Sequence, residues 1–265
     1  MKDPYVKMAR AQGSPSRAIF KLEEIDSMAA KFINQKQKPN QRLKGIIQPG
    51  SVVLDVGAAP GGWSKFVAER IKSDGLLIAI DLLPLDERTV EAIDRNPDGP
   101  NFHFVQGDFT TKAVKEEIAC ILSSVSERNR NERGRGVSLV ISDMAPNFSG
   151  DKMTDALQTI NLCEDALMLA SGPSCFDERY IPGLNVTEKE DGDGDGDGDG
   201  ILERGGSFIC KYFACGRENE NDLMSAVKRN FNLVKVLKPK SSRKESAEMY
   251  LFASGYKGGI PVDIK

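Results

Sequence analysis

Four aspartates, Asp55, Asp81, Asp108 and Asp143, each lie at or just beyond the end of a short apolar run, and two lysines, Lys21 and Lys211, sit in apolar company. In open α/β sheets ligands bind at the carboxyl ends of the strands, so four acids at successive ends mark the rim of one pocket. Asp81 follows Gly61 by twenty residues, a spacing at which an acid reaches ribose hydroxyls in nucleotide-binding folds. Asp108 is placed to accept a hydrogen bond from an adenine amine. Strand-end aspartates also cap the next helix. Ligand contact is the favoured reading for Asp81 and Asp108, and either role suits Asp55.

Lys211 lies inside the run Phe208-Ile-Cys-Lys-Tyr-Phe213. An ammonium among apolar side chains is expensive unless it is paired or loses its charge, so this lysine has a chemical reason to be there. Lys21 closes Ala-Ile-Phe-Lys, although a helix surface would accommodate it without special purpose. The single histidine, His103, stands between Phe102 and Phe104 and reads as structural. Five cysteines, Cys120, Cys163, Cys175, Cys210 and Cys215, form no C-x-x-C pair. This argues against a zinc site or a disulfide framework and suits a reducing compartment. No metal site is expected.

The elements that must position these groups are legible from periodicity. Residues 51–65, SVVLDVGAAPGGWSK, run from a short apolar strand through Asp55 into a glycine turn, and then into a helix with Trp63, Phe66, Val67 and Ile71 on one face. Strand, glycine turn and helix form the layout that cradles a nucleotide-like ligand. Further strands are expected at 76–80, 102–105, 137–142, 205–213, 231–237 and 248–253. Helical periods at 114–125, after Asp143 and around Leu223 to Phe231 alternate with them. This order implies a mostly parallel sheet with helices on both faces. The ten-residue basic loop before the last strand suits a hairpin, so that strand is expected to run antiparallel.

The net charge of −3 hides an uneven distribution. Residues 187–200, TEKEDGDGDGDGDG, carry a net −6 and leave the remainder at +3. This repeat cannot bury apolar surface and is expected to be a disordered loop. It lacks the hydrophobic position that lets calcium-binding Asp-Gly repeats fold. Residues 1–45 form a basic leader, with an amphipathic helix at 16–25 and five basic residues and no acid between Lys31 and Lys44. Residues 129–136 form an arginine-rich loop. No apolar run is long enough to span a bilayer.

Seven segments in order, SRAIFKLEEID, VLDVGAAPGGWS, AIDLLPLD, VQGDF, ISDMAPNFSG, GGSFICKYF and KPKSSRKESAEMY, resemble those of the FtsJ/RrmJ family of S-adenosylmethionine-dependent RNA ribose 2'-O-methyltransferases. The resemblance covers residues 3–256 except the acidic insert. It implies a Rossmann-like class I methyltransferase fold with a seven-stranded sheet. The implied organisation is a leader packed on a catalytic domain at 46–256, with the insert at about 172–203 and a tail at 257–265. It also implies a catalytic tetrad of Lys21, Asp143, Lys211 and Glu248, and cofactor contacts at Gly61, Trp63, Asp81, Asp108 and Asp143. The Asp-Met-Ala-Pro-Asn form resembles the bacterial-type and mitochondrial branch, which modifies a uridine of large-subunit ribosomal RNA. The expected partner is therefore ribosomal RNA or the large subunit, the expected state a monomer, and the expected location mitochondrial, with the cytoplasm as the alternative. Competing readings are a transfer-RNA methyltransferase, a non-catalytic ribosome-assembly factor and a nicotinamide-dependent oxidoreductase. Under the last, the lysine pair and Glu248 would have no purpose.

Overall fold

The computed structural model describes residues 18–35, 37–128, 136–172, 200–243 and 245–258. The first seventeen residues, the arginine-rich segment 129–135, most of the acidic insert with Cys175, Lys244 and the end of the tail lie outside the described residues. Among the described residues thirteen regular helices and strands follow one another. They are α1 (Ala18–Asn34), β1 (Val52–Val56), α2 (Gly62–Ile71), β2 (Leu76–Asp81), α3 (Glu87–Asp94), β3 (Asn101–Gln106), α4 (Lys112–Arg128), β4 (Val137–Ser142), α5 (Lys152–Ser171), β5 (Leu202–Phe213), α6 (Arg217–Asn230), β6 (Phe231–Leu237) and β7 (Glu248–Tyr256).

The strands form one sheet in the order β3-β2-β1-β4-β5-β7-β6. Every pairing is parallel except those of β7, which runs antiparallel to both β5 and β6. Strand order reverses between β1 and β4, and the crevice above their carboxyl ends is where such sheets bind ligands. Alternation along each strand sends side chains to opposite faces. Val52, Leu54 and Val56 join the core shared with α4, α5 and α6, whereas Val53 joins the core shared with α1, α2 and α3. The helices therefore cover both faces.

Two differences from the sequence pattern bear on the site. Helix α1 runs to Asn34, so Lys31 belongs to its last turn rather than to a basic linker. Its buried face, Ile19, Phe20, Leu22, Ile25 and Ala29, keeps helical spacing throughout. Asp26 pins the following chain to it by accepting from the Ile46 and Ile47 N–H groups at 2.6 and 2.9 Å. Helix α3 was not anticipated, because only Thr89 and Ile93 of its eight residues are buried and no apolar stripe announces it. Its start is marked by Asp86, which accepts from the Arg88 and Thr89 N–H groups. Strand β5 begins at Leu202, so the sheet resumes just inside the expected end of the insert. No helix among the described residues is long and apolar enough to cross a membrane.

Candidate active site

The glycine turn after β1 is built by backbone geometry. Gly57 and Gly61 adopt φ of +75° and +105°, a region costly to any residue with a Cβ. The turn is closed on itself by Gly61 N–H donating to Ala58 C=O at 2.7 Å, and against β2 by Gly57 N–H donating to Ile80 C=O at 2.8 Å. A Cβ on Gly61 would lie 2.6 Å from Thr89 of α3, so the unanticipated helix braces this turn from behind. Beneath it, Asp55 accepts from the Ser64 hydroxyl at 2.6 Å and ties β1 to the first turn of α2. Asp55 is fully buried, and that burial, opposed by the Ser64 bond and reinforced by the charges of Asp143 and Asp81, pushes its carboxyl up to about 7.

Asp81 and Asp108 extend the same rim. One Asp81 oxygen accepts from Ala59 N–H and the other from Leu83 N–H, each at 2.8 Å. The carboxylate is thus clamped between the turn and its own strand end. Gly107 N–H donates to Asp81 C=O at 2.9 Å, which carries Asp108 to the neighbouring position. Asp108 is exposed and accepts from Thr110 N–H and Oγ at 2.9 and 2.7 Å, both through Oδ1. These bonds, against a small opposing effect of burial, hold its carboxyl below the usual range. Trp63 sits differently. Its ring is 2% exposed, its Nε1–H donates to Ala18 C=O at 2.8 Å, and it packs at 5.9 Å from the Tyr250 ring. The indole joins α1 to the sheet.

Lys21, Asp143, Lys211 and Glu248 come together across the ends of β4, β5 and β7. Lys21 on α1 pairs with Glu248 at 2.6 Å, spanning 227 positions of sequence. Lys211 Nζ donates to the Asp143 carbonyl at 2.6 Å and lies 3.1 Å from its carboxylate. Burial raises the Glu248 carboxyl, but the charge and hydrogen bond of Lys21, the Ser242 hydroxyl and the charge of Lys211 outweigh it and leave the group below its ordinary value. The register explains the convergence. Ser142 pairs with Cys210, so Asp143 and Lys211 are the next positions along adjacent strands. Lys211 pairs in turn with Tyr250, and Phe213 with Glu248, so these side chains share one face.

Two members of this arrangement were not singled out from sequence. Tyr250 OH donates to Asp143 Oδ1 at 2.8 Å, and Ser242 Oγ donates to Glu248 Oε1 at 2.7 Å. Tyr250 carried a signal, since it alternates with Glu248 in β7 and must share its face. Ser242 carried none, because its place depends on how the loop before β7 folds. That loop is fixed to α1 by Lys240 N–H donating to Glu24. Lys211 and Glu248 line a cavity of about 530 Å³ with Ala145, Phe148, Phe213 and Ser246, and Arg243 and Glu245 stand at its exposed rim. The arrangement sets an ordered lysine at the end of β5 and oriented aspartates at the ends of β2 and β3.

Comparison with known proteins gives one answer. The family model for FtsJ-like methyltransferases matches residues 15–256. A Desulfatibacillum aliphaticivorans protein named ribosomal RNA large subunit methyltransferase E is 33% identical, over 98% of this chain and 94% of the relative. A protein of the same name from Pseudomonas fluorescens is 36% identical, over 97% of this chain and 92% of the relative. Among solved structures, a Plasmodium falciparum protein described as a ribosomal RNA methyltransferase shares the fold at a TM-score of 0.57 and 21% identity, covering 92% of this chain and 98% of its own. The chain belongs to the FtsJ-like methyltransferase family, whose methyl donor is S-adenosylmethionine.

Proposed function

We propose that this protein methylates a ribose 2'-hydroxyl of RNA, and that its substrate is a uridine of large-subunit ribosomal RNA, free or assembled. The observation that carries the reading is the meeting of Lys21, Asp143, Lys211 and Glu248 across the ends of β4, β5 and β7, where Lys211 and Glu248 line one cavity. The names of the relatives support ribosomal RNA as the substrate.

The residues present fit the cofactor. The turn at 57–62 offers main chain, with Gly57 leaving room for the Met144 side chain packed against it, and the first turn of α2 offers N–H groups and the positive end of a helix dipole to a carboxylate. Asp81, already oriented by two backbone donors, has lone pairs left for two ribose hydroxyls. Asp108 keeps Oδ2 for an adenine amine, and Asp143 stands between cofactor and acceptor. Gly61 and Trp63 contribute main chain, and the Trp63 indole contributes support. When bound, S-adenosylmethionine supplies a methyl group already activated by its sulfonium, so what the protein must add is alignment and proton removal.

Lys211 is the residue that meets the acceptor. Two of the tetrahedral positions around Nζ face the Asp143 carbonyl and carboxylate, and the remaining one is left for the cavity. In the amine form that position is a lone pair that would take the hydroxyl proton as the new carbon–oxygen bond forms and the donor's carbon–sulfur bond breaks, its electron pair leaving with the sulfur. Asp143 then stabilises the resulting ammonium. Lys21 and Glu248 hold the outer wall, with Ser242 fixing the second oxygen of Glu248.

Mapping 2'-O-methyl groups on large-subunit ribosomal RNA from cells with and without the protein tests the reading. One uridine should lose its methyl group, and the parent but not Lys211→Ala should restore it. An unchanged map would remove the proposal. A rescue by Lys211→Ala would support an assembly factor instead. A monomer in a mitochondrial setting belongs to the same proposal, and sedimentation and immunolocalisation test those two parts.

A further inference from the structure

Phe148 is a large apolar side chain left 56% exposed at the edge of the cavity that holds Lys211. Its ring lies parallel to that of Phe213, with centroids 5.6 Å apart and planes within 4°. This is an offset stack, one of the favoured aromatic geometries. Exposed phenylalanines are ordinarily free to turn, but both halves of this pair are held from below by one helix. Asp155, in the first turn of α5, accepts from Ser149 N–H, Ser149 Oγ and Gly150 N–H at 2.7, 2.8 and 3.2 Å, fixing the chain just after Phe148. Thr159, one turn further along, accepts from Phe213 N–H at 2.9 Å. Asp155 and Thr159 are both buried and lie four positions apart, hence on one face of the helix. Two buried polar groups thus preorganise an aromatic surface that is left open to solvent.

We infer that the Phe148–Phe213 pair is a stacking platform for the base of the nucleotide being methylated. The inference rests on the reading of the site as an RNA ribose methyltransferase. Phe213 stands two residues beyond Lys211 on the same face of β5, about 7 Å along the strand, which matches the reach from a ribose hydroxyl to the base it carries. The cavity is lined by Phe148 and Phe213 and by none of Gly57, Gly61, Asp81 and Asp108, so a base there leaves the cofactor rim free. Exposed Arg243 stands at the same rim, where a phosphate flanking that nucleotide would pass. A base can reach the platform only when it is unpaired and turned outward, which directs the enzyme to single-stranded or flipped-out nucleotides. An aromatic face accepts every base, so it supplies position and affinity, and the choice of nucleotide comes from elsewhere.

The test titrates large-subunit ribosomal RNA, in the form the parent methylates, under single-turnover conditions with saturating S-adenosylmethionine. Phe148→Ala and Phe148→Leu should each raise the half-saturating RNA concentration about tenfold or more, the usual scale for one lost base stack. Phe148→Trp should stay within about threefold of the parent, because the face is kept. Cofactor affinity by calorimetry and melting temperature should not move. Parent-like behaviour of Phe148→Ala would overturn the inference. So would parent-like behaviour of Phe148→Leu, which would mark a plain apolar contact such as a protein partner makes. Either result would leave the methyltransferase reading standing, whereas a parent that methylates no RNA would overturn that reading first.

Discussion

The two sides of the crevice hold their charges in different ways. On the side formed by β1, β2 and β3, the carboxylates of Asp81 and Asp108 accept from main-chain N–H groups or a near neighbour in sequence. On the side formed by β4, β5 and β7, charged side chains pair with one another across 68 and 227 positions of sequence, and Lys211 donates to the Asp143 main-chain carbonyl as well. The first side is a half-exposed rim set by local backbone. The second is a buried constellation set by sheet register and by the docking of α1. A rim of the first kind needs β1, β2 and β3 paired, since the Ala59 N–H reaches Asp81 across 22 positions of sequence. The second kind exists only once the whole domain is assembled, and it couples catalytic geometry to stability.

The sharpest way to break that contrast is to remove one partner of the Lys21–Glu248 pair. Both side chains are about 10% exposed, so Lys21→Met strands a carboxylate in a place where water cannot fully reach it. The expected loss of unfolding free energy in urea is about 3–5 kcal/mol, and Lys21→Met combined with Glu248→Leu should recover much of it. The pair is also pH-linked. Glu248 is held below its ordinary value, so its contribution is complete above the unfolded carboxylate range and is lost as pH falls through the folded value. A Lys21→Met variant as stable as the parent would show that the pair is a surface interaction and that the two sides do not differ in kind.

Asp55 tests the seam between the sides, since it feels the charges of both Asp143 and Asp81. In the unfolded chain its carboxyl sits near 3.8, and in the folded protein it sits at about 7. Between these values the folded protein holds a proton that the unfolded chain has released. The Asp55 contribution is therefore fully present below about pH 4 and declines as pH rises to about 7. Three pKa units correspond to at most about 4 kcal/mol. Asp55→Asn, which stays neutral, should remove this decline, so the parent should lose stability relative to the variant between pH 4 and 7 in paired urea titrations. Parallel curves across that range would show Asp55 to be ionised inside the fold.

The local side was the more legible in sequence. Strand, glycine turn, helix and strand-end acids are short-range patterns, and β1, α2, β2, β4 and the antiparallel β7 fell where periodicity placed them. Helix α3 escaped because a half-exposed helix has no continuous apolar stripe, although Asp86 marked its start. On the other side, Lys211 stood out because a charge in an apolar strand needs a reason. Glu248 entered only through family resemblance, and Tyr250 and Ser242 had no such oddity to betray them. The place of Tyr250 follows from its alternation with Glu248 once that residue is singled out, whereas that of Ser242 comes from loop closure, which a linear pattern does not contain. Trp63 shows the opposite limit. The family resemblance implies a cofactor contact there, and no local pattern shows that its indole N–H donates to Ala18, a partner 45 positions away.

The smallest effects should separate the two sides most cleanly, because they divide between rate and affinity. Lys211 is 7% exposed, and its Nζ is tied to Asp143 rather than to any group of the glycine turn. Lys211→Ala should lower single-turnover methyl transfer by about 10²-fold or more while leaving cofactor affinity nearly unchanged. Lys211→Arg should not restore the rate, because a guanidinium stays protonated and its planar fork cannot replace a tetrahedral amine. Asp81→Ala should do the reverse. Removing its carboxylate takes away the lone pairs offered to ribose hydroxyls and frees the Ala59 and Leu83 N–H groups, so S-adenosylmethionine should bind about tenfold more weakly. At saturating cofactor its rate should approach that of the parent, since the acceptor side is untouched. Calorimetry and single-turnover assays on the same preparations decide between these patterns. If Asp81→Ala slows the saturated rate as much as Lys211→Ala does, the cofactor rim and the acceptor constellation act as one unit, and the division drawn between backbone-held and side-chain-held charges fails.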